Sequence, residues 1–121
     1  MAWQFNSQEA VFIQIANRLR GDILKGIYPP DSQIPSVRHL ATDAAVNPNT
    51  MQKALCSLEE EGLLYTKGTI GRFVTSDTAV FDAARERVRR DSVRSWLRQA
   101  EELGISKQEL IQYIQKEDET V

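Results

Sequence analysis

Apolar residues recur along this chain first with a helical period, then in short strand-like runs, then helically again. Phe12, Ile15, Ala16, Leu19 and Ile23 fall at i, i+3, i+4, i+7 and i+11. That spacing predicts an amphipathic helix over roughly Glu9 to Lys25, capped by Ser7 and closed by Gly26. Ahead of it, Trp3-Gln4-Phe5 alternates and reads as a short strand, and Pro29-Pro30-Asp31 marks a turn. Ser36 is placed to cap a short helix with Val37, Leu40 and Ala41 inward. Asn47 followed by Pro48 starts another, a cap side chain ahead of a proline at the first helical position. Met51, Ala54, Leu55 and Leu58 form its inner face, and Gly62 stops it. Leu63-Leu64-Tyr65, a glycine-containing tip and Phe73-Val74 then predict a β-hairpin.

Beyond Ser76-Asp77-Thr78 a long helix is expected from about Ala79 to Leu103. Its stripe is Phe81, Ala84, Val88, Ser92, Trp96, Ala100 and Leu103, widened by Val93 and Leu97. Gly104 ends it, and Ser106 with Glu109 has capping-box spacing for a last helix carrying Leu110, Ile111 and Ile114. From Lys116 onward the chain is acidic and expected to fray.

Two helices joined by a few residues, the second opening with small polar side chains, describe a helix-turn-helix, and the hairpin after it a wing. The fold class is therefore mostly α with a small β-wing. A winged helix-turn-helix occupies residues 1–76, and a C-terminal helical hairpin occupies residues 77–121. A hairpin of about forty residues cannot enclose its own apolar stripe. Phe81, Val88, Trp96, Leu97 and Leu103 are accordingly assigned to dimerisation, buried against the same hairpin of a second copy.

Composition narrows the function more than the fold. Of 121 residues, 41% are hydrophobic, an ordinary share for a globular chain, and no apolar run approaches the ~20 residues of a membrane span. The N-terminal residues lack the basic and apolar regions of a signal peptide. One cysteine, Cys56, cannot form an intramolecular bridge and fits a reducing cytoplasm, which is the expected location. A formal charge of −2 does not exclude double-stranded DNA as a partner, because binding needs a basic face and not a basic total. Arg38, Lys53, Lys67 and Arg72 fall on the two helix starts or the wing. Glu59, Glu60 and Glu61 lie at the far end of the second helix and are expected to point away from a duplex.

Three pieces together resemble the winged-helix domain of the GntR family of bacterial transcription regulators. They are Ile34-Pro35-Ser36-Val37-Arg38-His39-Leu40-Ala41, Asn47-Pro48-Asn49-Thr50, and the exit Gly62-Leu63-Leu64 into a glycine-bearing wing. With Phe12-Ile13-Gln14-Ile15, Gly26 and Pro29 upstream, the resemblance covers roughly Val11 to Val74. The family pattern implies a DNA contact by Arg38, and the short helical tail is similar to the YtrA-type subgroup. The wing departs from the family pattern. Thr69 replaces the first family glycine, Gly68 comes one position earlier, and Arg72 stands where threonine is common. In place of the family's minor-groove contacts, Lys67 or Arg72, beside the Gly68 tip, is expected to touch backbone phosphate.

On the second helix Asn49, Gln52, Lys53 and Cys56 share one face. Asn and Gln can bond adenine edges and Lys suits guanine or phosphate, while Thr50 and the helix N-terminus can hold a phosphate. Ser36 and Asn47 are caps first and DNA contacts second. His39 has no partner at metal-ligand spacing, Cys56 reads as an ordinary thiol, and no nucleophile–base pair is present. No cofactor, metal or enzymatic activity is expected. The reading is a homodimeric, sequence-specific regulator, most simply a repressor, on an inverted-repeat operator. Its rivals are a small-ligand-responsive sensor with an interface pocket and a protein-interaction winged helix. No effector can be named from the residues.

Overall fold

The structure, a computed structural model, describes residues 3–120, with side chains through 117. In order come α1 (Val11–Lys25), α2 (Val37–Ala44), α3 (Pro48–Glu60), β1 (Leu64–Lys67), β2 (Gly71–Val74), α4 (Thr78–Glu102) and α5 (Lys107–Thr120). The chain divides into two compact units, one ending at Asp82 and one beginning at Ala83.

In the first unit α1 and α2 both pack on α3, and α3 carries β1 on its other flank. The predicted inner faces meet there: Ile15, Leu19 and Ile23 from α1, Leu40 from α2, and Met51, Leu55 and Leu58 from α3 are all fully buried. Fully burying such a side chain contributes about 1.5–3 kcal/mol, so this cluster holds the unit together. Phe12, expected on the same stripe, is only half-buried and lies beneath the Lys53 ammonium at 4.1 Å.

Two expectations at the N-terminus are corrected. α1 begins at Val11, not Glu9, and the residue at its cap position is Ala10, which makes no side-chain cap bond. Gln14 instead ties the preceding segment to the first turn of the helix without capping it. Its amide donates to the Asn6 and Glu9 carbonyls and accepts from the Asn6 N–H, at 2.9–3.0 Å. Trp3-Gln4-Phe5 is not a strand. A strand needs a backbone partner, and here the Trp3 ring instead lies 4.1 Å from the Arg18 guanidinium.

The local signals for the helix-turn-helix act as expected. Ser36 accepts from the His39 N–H at 3.1 Å, and Asn47 accepts from the Asn49 N–H at 2.8 Å with Pro48 at the first turn of α3. Gly62, at φ 83°, ends α3 and directs the Leu63 N–H onto the Leu58 carbonyl at 3.0 Å. The hairpin pairs Leu64 with Val74 and Lys67 with Gly71. A third segment, unforeseen in the sequence, joins it. Asp31, Ser32 and Ile34 bond β2 through Asp31 N–H to Val74, Val74 N–H to Ser32 and Ile34 N–H to Arg72, all at 2.8–3.0 Å.

Asp77 caps α4, accepting from the Ala79 N–H at 3.0 Å. Phe81, assigned from the sequence to a dimer face, is only 7% exposed within the single chain and belongs to the first unit. It needs no second copy to cover it, and the assignment is corrected on that ground. In the second unit Gly104 closes α4, with the Ile105 N–H on the Ala100 carbonyl at 2.8 Å. Ser106 and Glu109 form the reciprocal capping box that opens α5. Val88, Trp96 and Leu103 are exposed, Trp96 by 57% and Leu103 by 78%, and Leu97 is half-buried. Ile111, Tyr113 and Ile114 on α5 are exposed too. No helix among the described residues is long and apolar enough to cross a membrane.

Candidate nucleic-acid interface

Burial of Met51, Ala54, Leu55 and Leu58 fixes the rotation of α3, and the opposite face is presented outward. Asn49, Gln52, Lys53 and Cys56 are all exposed on it, and Thr50 is half-buried. The side-chain amides of Asn49 and Gln52 bond no other described residue. Arg38 is exposed on α2 and makes no ion pair among the described residues. Lys53 is partly occupied by its seat over Phe12, which leaves the ammonium solvated on the open side.

The wing carries Lys67 at the end of β1, its ammonium 5.4 Å from the Phe73 ring. Phe73 also stacks on Tyr65 at 5.8 Å, and the Tyr65 hydroxyl donates to Asp31 at 3.2 Å. Desolvation, with that bond and the Asp31 charge added, raises the Tyr65 pKa above the ordinary phenol value. The tip turns at Gly68, φ 53°, where the Ile70 N–H donates to the Lys67 carbonyl at 3.0 Å. A cleft of about 330 Å³ separates the wing from the start of α2, lined among others by Ser36, Val37, Thr66, Ile70 and Arg72.

Arg72 is placed differently from the free phosphate ligand that its position suggested. Its Nε donates to Glu59 Oε1, and Nη2 lies 4.0 Å from Cys56 Sγ. Glu59 is turned toward the wing, against the expectation that all three glutamates point away, because Arg72 attracts it and Thr66 donates to it at 2.9 Å. Glu61 reaches α1 instead, where it pairs with Arg20. His39 stands 3.4 Å from Asp43 in an exposed pair one helical turn apart. No group of His, Cys, Asp and Glu among the described residues could hold a metal ion.

Three residues that shape this surface were given no part in it by the sequence reading: Gln33, Glu59 and Thr66. A signal for Gln33 existed. Gly71 inside a strand marks a place where something approaches the backbone closely, and a Cβ there would lie 2.7 Å from Gln33 Nε2. Glu59 gave no such signal, because its partners lie on the hairpin and only packing brings them together.

The family of bacterial regulatory proteins named for gntR matches residues 13–74, just over half of the chain. Among similar proteins, the uncharacterised HTH-type transcriptional regulator YhcF of Bacillus subtilis is 29% identical over 111 residues, 92% of each chain. The transcriptional repressor YtrA of the same organism is 38% identical over 71 residues, 59% of this chain and 55% of its own. A GntR family regulator from Listeria monocytogenes superposes with a TM-score of 0.82 at 28% identity, over 93% of this chain and 98% of that one. The DNA-binding domain of AraR, solved with operator ORX1, matches 60% of this chain and 93% of its own with a TM-score of 0.54 at 27% identity.

Proposed function

Because this chain belongs to the gntR family of bacterial regulatory proteins, we propose that it is a sequence-specific repressor binding an inverted-repeat operator as a homodimer in the cytoplasm. The observation that carries the reading is the outward face of α3. There the Asn49 and Gln52 amides are left without partners among the described residues, beside Lys53, while the cations Arg38 on α2 and Lys67 on the wing are exposed as well. Unengaged amides suit base edges in the major groove, and flanking cations suit phosphates. Thr50 and the α3 N-terminus supply a phosphate seat. The similar AraR domain, solved in complex with an operator, supports the same use of this fold.

The dimer is supported by the second unit. Val88, Trp96 and Leu103, with Ile111 and Ile114, stay exposed in the single chain, an apolar surface that monomers seldom carry. Burial of each large side chain in a second copy would contribute about 1.5–3 kcal/mol. Two identical recognition helices then ask for a two-fold symmetric site, and occupancy of that site blocks polymerase. Repression is favoured over activation by the similarity to YtrA, described as a repressor.

Selection of bound fragments from genomic DNA, followed by footprinting, tests the reading. The expected result is one inverted repeat with half-sites about one helical turn apart, roughly 10 base pairs. Fragments recovered without a shared sequence, or a footprint over one half-site that gains nothing from a second, would overturn it.

A further inference from the structure

The stripe of α3 that carries Asn49, Gln52 and Cys56 continues at helical spacing to Glu59. A carboxylate in line with base-reading side chains is unfavourable beside phosphates unless something neutralises and uses it. Glu59 does have a use. One of its oxygens accepts both from Thr66 Oγ1 on β1 and from Arg72 Nε on β2. Thr66 and Arg72 face each other across the hairpin, one rung in from the Lys67–Gly71 pair at the tip. A single carboxylate on the recognition helix thus ties both strands of the wing at one rung. On the other edge of the hairpin, Gln33 Nε2 donates to the Ile70 carbonyl at 2.8 Å.

We propose that Glu59 is a positioning residue for DNA binding, latching the wing to α3 through Arg72 and Thr66 so that Lys67 is held at a set distance from Asn49 and Gln52. Arg72 serves as the cationic half of the latch rather than as a phosphate ligand. The proposal rests on the DNA-binding reading above. Its rival makes Glu59 a mere restraint on an arginine that swings to phosphate in the complex. The two differ in sign. Removing the carboxylate loosens the wing in the first account and frees a cation for DNA in the second.

The test uses the full-length protein and a duplex selected by it from a randomised library, at fixed salt, with thermal unfolding of each variant as a check on folding. Glu59→Gln is expected to weaken binding about three- to tenfold, the scale of one net hydrogen bond. Thr66→Val, which changes no charge, should act in the same direction. Lys67→Ala should cost much less in the Glu59→Gln background than in the wild type, because a loosened wing no longer presents Lys67. Tighter or unchanged binding by Glu59→Gln, or effects of Glu59→Gln and Lys67→Ala that simply multiply, would overturn the proposal. Amide exchange over Leu64–Val74 in the free protein judges the latch without DNA: faster exchange in Glu59→Gln upholds it and equal exchange overturns it. A wild-type protein that selects no duplex while that exchange difference is present would sink the operator reading and leave the latch standing.

Discussion

Arg20 and Glu61 meet edge to edge, with Nε 2.8 Å from Oε1 and Nη2 2.5 Å from Oε2. Arg20 lies in the second half of α1 and Glu61 is the C-cap of α3, so the fork joins the two helices where the chain leaves for the wing. Nη1 is held as well, donating to Asn17 at 2.7 Å. The two side chains are only 14% and 17% exposed. Arg20→Ala therefore leaves a largely covered carboxylate without its fork and should lower stability by about 1–3 kcal/mol. Arg20→Lys should recover only part of that, since an ammonium cannot make two parallel bonds. Urea midpoints of the three proteins decide it, and coincident midpoints would mean the pair contributes nothing.

Gly71 should resist replacement for two separable reasons. Its φ of 141° is a conformation that side chains rarely adopt, and an added Cβ would meet Gln33 Nε2 at 2.7 Å. Gly71→Ala is expected to cost about 1–3 kcal/mol. Pairing it with Gln33→Ala removes the clash and leaves the backbone strain, so the double variant should regain part of the loss. Full recovery in thermal unfolding would show that φ is no constraint here.

Asn47 is expected to matter mainly as a cap. Asn47→Ala should destabilise by about 1 kcal/mol, while Asn47→Asp or Asn47→Ser should keep most of the stability, because either can accept from the Asn49 N–H. A variant that keeps stability and loses operator affinity would give Asn47 a direct DNA contact in addition.

Contacts to the backbone and to the bases should separate by their salt and sequence behaviour. Lys67→Ala should weaken binding to all duplexes and lower the slope of log affinity against log salt by about 0.9. Asn49→Ala or Gln52→Ala should cost on the order of 1–3 kcal/mol and relax preference at one base pair per half-site. If a randomised library shows the same preference with either amide removed, that amide reads no base.

Trp96 and Leu103 should report on assembly. The wild type is expected to sediment as a dimer at micromolar concentration, and Trp96→Glu with Leu103→Glu as a folded monomer of weaker DNA affinity, since a charge on that face opposes its burial. A wild-type protein that sediments as a monomer with both side chains solvated would contradict the dimer.

Apart from the start of α1, the places where helices start and stop were legible in the chain itself. Ser36, Asn47-Pro48, Gly62, Gly104 and the Ser106–Glu109 box act on backbone groups within a few residues, so their chemistry needs no tertiary context. The faces of α2 and α3 were legible for the same reason, since a 3.6-residue period alone separates Met51, Leu55 and Leu58 from Asn49 and Gln52. Packing decided the rest. Gln33 reaches Ile70 across 37 positions, Arg20 reaches Glu61 across 41, and Arg72 turns back to Glu59 across 13. No periodicity encodes such pairs, because which charge faces which depends on how α1, α3 and the hairpin stack. Phe81 is covered within the single chain and Trp96 is open, although both lie on one stripe of α4. A repeating pattern names the apolar side of a helix, but only its neighbours determine how much of that side is covered.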